Sequence, residues 1–161
     1  MFDEIYKRAK EFKKKYPFTV AWRIKEHCKV VAKHMEPSEK IRYVFVGQKN
    51  DSIIDIITTY VIVITDKRIV FGEKRFFWGY FFTSITSDMF NDLNVKQGLL
   101  WGRCIIDTIK ERVIISNLSK SALPEIENNI TTYVIKAKKS MPIQKHVWFF
   151  DKLMIILKKL F

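Results

Sequence analysis

Short runs of β-branched and aromatic residues, separated by polar turns, dominate the middle of the chain. At residues 60–72 two such runs meet across the polar break 65–67, a pattern typical of a β-hairpin. The same alternation of run and turn predicts seven strands, at 41–47, 53–65, 68–72, 76–83, 90–96, 100–107 and 112–118. The connections are short and contain no predicted helix. We therefore predict an antiparallel meander that curls into a barrel or sandwich.

The predicted strand at 100–107 has two distinguishable faces, because successive side chains of a strand point to opposite sides of the sheet. The less charged face is expected to point inward. Its members are Leu100, Gly102, Cys104 and Ile106.

Apolar residues recur every three or four positions before and after the strands, which predicts helices on both sides of the β region. The first helix covers 2–15, the second about 20–35, the third ends near 138 and the last covers 143–161. The apolar face of the third helix consists of Ile126, Ile130, Val134 and Ala137. This helix is long enough to close one end of the β structure.

The predicted fold class is mainly β with α: a seven-stranded antiparallel barrel or sandwich capped by a helix that follows it. Extra amphipathic helices are expected at the N-terminal and C-terminal ends. We divide the chain into an N-terminal helix (1–19), a domain with a leading helix (20–139) and a C-terminal amphipathic helix (140–161).

The net charge of +12 is concentrated at the two ends of the chain. Residues 1–50 and 101–161 carry a clear excess of Lys and Arg, whereas residues 51–100 are close to neutral. A basic surface suits anionic lipid headgroups, nucleic acid or an acidic protein, and charge alone does not separate these partners. Nucleic acid is the least favoured, because acidic residues are interleaved with the basic ones and no recognition motif appears.

The beginning of the chain is too charged for a secretion signal, and no run of about 20 apolar residues predicts a membrane span. We therefore expect a cytoplasmic protein, with peripheral attachment to the inner face of the membrane as an alternative.

The residues predict neither catalysis nor a cofactor. Cys28 and Cys104 lie on predicted apolar faces and are expected to be buried, reduced thiols. His27 and His34 lie seven residues apart and face the same way on a helix, which could suggest a metal site with Cys28. No second cluster supplies the further ligands that zinc needs, so we predict no metal site. The five glycines stand singly, which excludes a Gly-rich phosphate loop. We predict a protein that is not an enzyme and that has no small-molecule substrate.

Two motifs resemble a known family. Residues 36–41 (Glu-Pro-Ser-Glu-Lys-Ile) lead into the first strand, and residues 64–70 (Ile-Thr-Asp-Lys-Arg-Ile-Val) form the second hairpin. Together with the order of seven strands and one closing helix, they resemble the bacterial pleckstrin-homology-like (PH-like) domains, in particular the YokE-like group. The resemblance covers about residues 20–138 and implies a small cytoplasmic binding or assembly module, often oligomeric, with no common enzymatic chemistry.

Eukaryotic PH domains that bind phosphoinositides use a basic pair beside the first hairpin. The corresponding segment offers Lys49, but residues 53–64 contain no Lys or Arg, and Asp51 and Asp55 repel an anion. The resemblance therefore does not carry inositol-phosphate recognition to this chain.

The predicted C-terminal helix is apolar over about half of its circumference, which is too much apolar surface to leave in water. Packing within an assembly, lying in the membrane interface and docking in a groove of another protein would each cover it. Trp148 and Ile155 lie on its lysine side, which favours an assembly. The residues that we predict to contact a membrane or another subunit are Trp148, Phe149, Phe150, Lys152, Leu153, Ile156, Leu157, Lys158, Lys159, Leu160 and Phe161, with Phe2, Ile5 and Phe12 of the first helix.

The sequence thus predicts a non-enzymatic binding or assembly module. It would self-associate, or dock on a protein partner or membrane surface, through its terminal amphipathic helices. The alternatives are a peripheral protein that binds anionic lipid and a basic protein that binds nucleic acid.

Overall fold

The structure is a computed structural model that describes residues 1–49 and 58–140. Its elements in chain order are α1 (Phe2–Lys15), α2 (Ile24–His34), β1 (Ile41–Lys49), β2 (Thr59–Thr65), β3 (Ile69–Lys74), β4 (Tyr80–Ile85), β5 (Phe90–Gln97), β6 (Gly102–Thr108), β7 (Arg112–Leu118), a short 3₁₀ turn (Lys120–Ala122) and α3 (Leu123–Ser140).

The strands form one antiparallel sheet in the spatial order β4-β3-β2-β1-β7-β6-β5. β1 pairs with β2 along most of its length but with β7 only at its end, through Gln48 and Lys49. This short pairing joins the two parts of the sheet, β1–β4 and β5–β7. The sheet is open, with β4 and β5 at its outer ends. The predicted fold class, a PH-like antiparallel β structure with flanking helices, is confirmed.

Helices cover the β1–β4 part of the sheet, and this explains the unbroken apolar run in β2. Every residue of β2 is buried, as expected for a strand that is covered on both faces. On one face Phe12 of α1 packs against Phe45 of β1, with ring centroids 6.0 Å apart. Val31 of α2 lies directly over Gly72 of β3, where any larger residue would collide with it. The described parts of the predicted segments 1–19 and 20–139 therefore share one hydrophobic core.

α3 packs against strands from both parts of the sheet, β2 on one side and β5 and β6 on the other. Ile126, Ile130 and Val134 are buried, which confirms most of the predicted apolar face, and Ala137 is half-buried. Leu123 sits over Gly102 at the start of β6, where an added Cβ would force the Leu123 side chain to shift.

Glu125 ties α3 to α1 and β1. Its carboxylate accepts hydrogen bonds from the hydroxyls of Tyr16 (2.6 Å) and Tyr43 (3.0 Å), and Lys15 donates to it as well. Burial alone would raise the pKa of Glu125, but these hydrogen bonds outweigh burial and hold it below its usual value.

The two motifs that resemble the family fold onto each other. Thr65 Oγ accepts hydrogen bonds from the backbone N–H groups of Lys67 (3.0 Å) and Arg68 (2.9 Å), which fixes the β2–β3 turn. The carboxylate of Asp66 accepts from the N–H of Lys40 (2.9 Å), and the Lys40 carbonyl accepts from the N–H of Asp66 (3.1 Å). We call this contact between residues 36–40 and 65–68 the hairpin lock.

A buried ion pair lies at the centre of the hairpin lock. Arg68 Nε donates to Glu39 Oε1 at 2.6 Å, and its Nη2 donates to the carbonyl of His34 at 2.9 Å. The Glu39 side chain is 0% exposed and that of Arg68 is 18% exposed. The second carboxylate oxygen of Glu39 is buried and makes no hydrogen bond to the described residues. Arg68 is therefore the partner that compensates the buried carboxylate of Glu39.

His27 anchors α2 to the end of β3. Its Nδ1 accepts a hydrogen bond from the backbone N–H of Lys74 at 2.7 Å, which requires a neutral ring with the proton on Nε2. Burial, with a smaller contribution from the charge of Arg23, lowers the pKa of His27 from 6.5 to about 4. The ring is neutral at physiological pH and serves as a structural acceptor.

Several predicted boundaries need correction. The strand predicted at 76–83 begins at Tyr80, and the strand predicted at 100–107 begins at Gly102. Gly102, Cys104 and Ile106 are buried as predicted, but Leu100 lies in the preceding turn and is exposed. The part of the second predicted strand before residue 58 lies outside the described residues.

The second predicted helix begins at Ile24 rather than at about residue 20, because Arg23 has a left-handed backbone (φ 47°). The preceding linker is instead hydrogen-bonded to the sheet. The N–H of Val20 donates to the carbonyl of Asn117, and that of Trp22 donates to Thr59 Oγ, both at 2.9 Å.

We expect Arg68→Ala to lower the free energy of unfolding by about 3–5 kcal/mol, because it leaves the Glu39 carboxylate buried without its partner. Urea titration followed by circular dichroism measures the change. The matched control is Arg112→Ala, which removes an arginine that is 65% exposed and is paired with Asp107. That substitution is expected to cost about 1 kcal/mol or less. Equal losses in the two variants would contradict a special role for the buried pair.

We expect the free energy of unfolding to fall by about 3 kcal/mol between pH 6.5 and pH 4 through His27 alone. The unfolded histidine binds a proton with a pKa near 6.5 and the folded one with a pKa of about 4, so acid favours the unfolded state. The stability that the neutral His27 ring contributes is fully present above pH 6.5 and is lost as the pH falls toward 4. His27→Asn keeps an acceptor for Lys74 but does not titrate, so its stability should lack this slope. An unchanged slope between pH 6.5 and 5 in the variant would refute the assignment.

Candidate functional site

The structure places two of the predicted contact residues of α1 inside the protein. Ile5 is 0% exposed and Phe12 is 4% exposed, both within the core against β1. Phe2 is half-buried and stacks on Tyr6, with ring centroids 5.9 Å apart. The expectation that α1 presents Ile5 and Phe12 to a partner is therefore wrong for this conformation. The apolar stripe of α1 is used to cover the chain's own sheet.

The predicted contact residues between Trp148 and Phe161 lie outside the described residues. Their role in contacting a membrane or another subunit stays a prediction.

The cysteines and histidines of the sequence analysis are structural. Cys28 and Cys104 are buried and free, as predicted, and burial raises the pKa of each thiol to about 12. His27 bonds to the backbone of β3, and His34 Nδ1 lies 2.8 Å from the carbonyl of Val30. In residues 1–49 and 58–140 no group of three or more His, Cys, Asp or Glu side chains is placed to hold a metal ion.

A shallow cleft beside Lys49 corresponds to the place where the resemblance would put an anion. The Lys49 amine lies 4.1 Å from the centroid of the Phe81 ring and 3.9 Å from a carboxylate oxygen of Glu73. Glu111 and Arg112 line the same cleft. Because carboxylates stand beside Lys49, the described residues of the cleft do not offer the uncompensated pair of cations that an inositol phosphate needs.

Exposed aromatic and aliphatic side chains gather instead on three other segments. These are the α1–α2 linker with the first residues of α2 (17–25), the β3–β4 hairpin tip (74–80) and the β5–β6 hairpin tip (96–103). Together we call them the loop edge. Their exposed large apolar side chains are Phe18, Trp22, Phe76, Phe77, Trp78, Tyr80, Leu99, Leu100 and Trp101. Phe77 is 79% exposed, Trp78 87% and Leu99 90%.

Local backbone chemistry places these side chains at the ends of the hairpins. Gly79 has φ +78°, a conformation that glycine adopts without strain, and it reverses the chain after Trp78. In the other tip the N–H of Gly98 donates to the carbonyl of Trp101 at 2.9 Å, so Leu99 and Leu100 occupy the two central positions of the turn. Both tips therefore project beyond the paired strands.

The linker joins the two tips into one surface. The indole N–H of Trp101 donates to the carbonyl of Phe18 at 3.0 Å, and the guanidinium of Arg23 lies 5.3 Å from the centroid of the Phe76 ring. Between these two points the linker is hydrogen-bonded to β7 and β2. The three segments thus form a connected edge.

The loop edge contains cations and no acidic residue. Residues 17–25, 74–80 and 96–103 hold no Asp or Glu. Their cations are Arg23, Lys25, Lys74, Arg75, Lys96 and Arg103. The edge therefore combines exposed apolar side chains with six cations. Glu26, which directly follows the edge, is paired with Lys29 outside it.

The loop edge was not predicted from the sequence, because the predicted strands 76–83 and 100–107 took in most of the exposed residues of both tips. Aromatic and aliphatic runs such as 76–78 and 99–101 have high β propensity, so they look like continuations of the strands beside them. Turns were predicted at 72–74 and 96–98, so each predicted turn ended before the exposed side chains of its tip. Gly79 was the available signal that the first turn runs further.

None of the helices in the described part of the chain is long and apolar enough to cross a membrane.

Comparison with known proteins adds one finding. The bacterial PH domain family matches residues 35–132, a range that runs from the end of α2 through all seven strands into α3. No curated protein and no solved structure matches the chain. The family match covers more than half of the sequence and agrees with the strand order described above. The chain therefore belongs to the bacterial PH domain family.

Proposed function

We propose that this protein is a non-catalytic binding module that attaches peripherally to an anionic membrane surface, on the cytoplasmic side. Membership in the bacterial PH domain family supports the binding-module role. The observation that carries the proposal is the loop edge, whose charged side chains are all cations.

The size of the electrostatic effect supports a membrane surface as the partner. Each Lys or Arg close to an acidic lipid surface contributes about 1 kcal/mol, and this attraction falls off within a Debye length, about 8 Å at physiological salt. Several cations on one edge, with no carboxylate among them, therefore produce useful affinity without a specific headgroup pocket. The cleft beside Lys49 supports the same conclusion, since its carboxylates disfavour a multiply charged headgroup.

The assignment to the YokE-like group belongs to this proposal as well. Its support is the hairpin lock, in which residues 36–40 and 65–68, the segments that carry the resemblance, hold each other. The hairpin lock stabilises the domain, and its contacts do not indicate a ligand.

Self-association is a second candidate function, and the observation that favours it is the sequence of residues 143–161. Apolar side chains cover about half of the predicted helix, and Trp148 and Ile155 add apolar surface to its lysine side. A homo-oligomer or a protein partner would cover both sides, whereas a bilayer would cover one.

Co-sedimentation with vesicles tests the membrane proposal. The full chain should bind vesicles that contain phosphatidylglycerol and should not bind pure phosphatidylcholine vesicles. We expect Lys74→Glu/Arg75→Glu to weaken binding by about 2 kcal/mol or more, roughly 30-fold.

The matched control is Lys7→Glu/Lys10→Glu, which makes the same change in net charge on exposed positions of α1. These positions lie near the start of β1, since Arg8 donates to the carbonyl of Arg42, whereas the linker lies near the opposite end of that strand. Equal weakening in both variants would show that net charge alone, and not the loop edge, determines binding.

Deleting residues 144–161 tests the role of the C-terminal segment. We expect the domain to stay folded and either self-association or vesicle binding to be lost, as measured by light scattering and co-sedimentation. Unchanged mass together with unchanged lipid affinity would refute a role for this segment in either activity.

A further inference from the structure

We propose that the loop edge inserts its aromatic and aliphatic tips into the interface of an anionic phospholipid bilayer. The inference rests on the proposed membrane attachment and goes beyond it. Electrostatic attraction alone would hold the protein at the surface of the headgroups, whereas insertion adds a hydrophobic component that salt does not screen and that fixes the orientation of the domain.

The exposure of the tips is the first step of the argument. Trp78 and Leu99 are 87% and 90% exposed, on tips where the chain turns back beyond the end of the sheet. Large side chains concentrated on one edge of a protein mark a surface that becomes covered on binding. Each such side chain that leaves water contributes free energy roughly in proportion to its apolar area.

The kinds of side chain fit a bilayer interface. Each of the three segments carries one tryptophan, namely Trp22, Trp78 and Trp101. Tryptophan is enriched at the boundary between headgroups and acyl chains, where its apolar ring and polar N–H are both accommodated. The accompanying side chains are phenylalanine and leucine, which suit the region just below the headgroups.

The charges around the tips favour lipid over a second copy of this chain. A symmetric dimer through the loop edge would bring the same cations of two subunits together without any acidic residue of the edge to neutralise them. Anionic headgroups would instead surround Lys74, Arg75 and Lys96 while the tips lie between the lipids. The membrane is therefore the partner whose chemistry complements both the cations and the apolar tips of the loop edge.

Nucleic acid is a weaker fit. Aromatic rings flanked by cations also bind single strands by stacking, but Leu99 and Leu100 in the turn between β5 and β6 present no ring for a base. A lipid interface accommodates aliphatic and aromatic tips equally well.

The contacts within the edge indicate that the tips enter together. The Trp101–Phe18 hydrogen bond and the Arg23–Phe76 contact connect both hairpins to the linker, and the linker is bonded to the sheet. Because the three segments are held in fixed relative positions, insertion of one tip brings the others to the same surface. The domain would then lie on the membrane in one orientation.

The experiment separates insertion from electrostatic attraction by salt. Binding of the full chain to phosphatidylglycerol vesicles is measured at low salt and at about 0.5 M salt, where charge interactions are strongly screened. The test variants are Phe77→Ser/Trp78→Ser and Leu99→Ser/Leu100→Ser, which leave the charge unchanged. The control is Ile109→Ser/Ile135→Ser, which removes two exposed apolar side chains outside the loop edge.

We expect wild type and the control to keep part of their binding at high salt, and each test variant to lose about tenfold or more of that salt-resistant binding. As a second measurement, lipids with brominated acyl chains should quench tryptophan fluorescence in the wild type, and Trp78→Phe should reduce the quenched fraction. All substituted side chains are exposed, so the unfolding midpoints should match that of the wild type.

Three outcomes would overturn the inference. If both test variants bind as the wild type does while Lys74→Glu/Arg75→Glu weakens binding, membrane attachment stands and insertion is wrong. If no variant and no wild type binds anionic vesicles at any salt concentration, both proposals fall. If the test variants lose binding to a single-stranded oligonucleotide, or change the mass in solution, while vesicle binding is unaffected, the edge serves nucleic acid or self-association instead.

Discussion

The buried pair between Glu39 and Arg68 is the interaction on which the rest of the structure depends. It joins the segment that leads into β1 to the turn between β2 and β3, and through Arg68 it also reaches the end of α2. A buried carboxylate tolerates few alternative surroundings, because an unpaired charge in the interior is very costly. The pair therefore specifies how α2, β1 and the hairpin meet.

Because the buried pair lies at one end of the β1–β4 sheet, the two ends of this sheet differ in structure. At one end the hairpin lock joins the segment that leads into β1 to the β2–β3 turn. The Tyr133 hydroxyl of α3 donates to the Lys67 carbonyl and so connects α3 to the same turn. At the other end the strands finish in tips whose side chains contribute little to the core. Helices α1 and α2 cover the sheet between the two ends. A rigid end and a covered sheet allow the opposite tips to carry large apolar side chains without loss of the fold.

Much of this fold could be predicted from sequence, and the misses have physical reasons. The unbroken apolar run of β2 and the turn residues around 65–67 predicted the central hairpin, because burial on both faces leaves a clear pattern. Residues 76–78 and 100–101 of the tips were assigned to strands, because an aromatic run has the same composition whether it pairs in a sheet or projects from a turn. The stripe of α1 with Ile5 and Phe12 predicted a buried face, but periodicity does not say whether the chain itself or a partner buries it. The burial of Glu39 depends on tertiary contacts that no local pattern encodes.

The helical cover over the sheet also affects what counts as the autonomous folding unit. The region that matches the family begins at residue 35, so it excludes α1, the linker and all of α2. A fragment cut at that boundary would leave Phe45 and Gly72 facing water where Phe12 and Val31 now lie, and it would also lose one third of the loop edge. The N-terminal helices are thus an integral layer of this domain, which is larger than the region that matches the family.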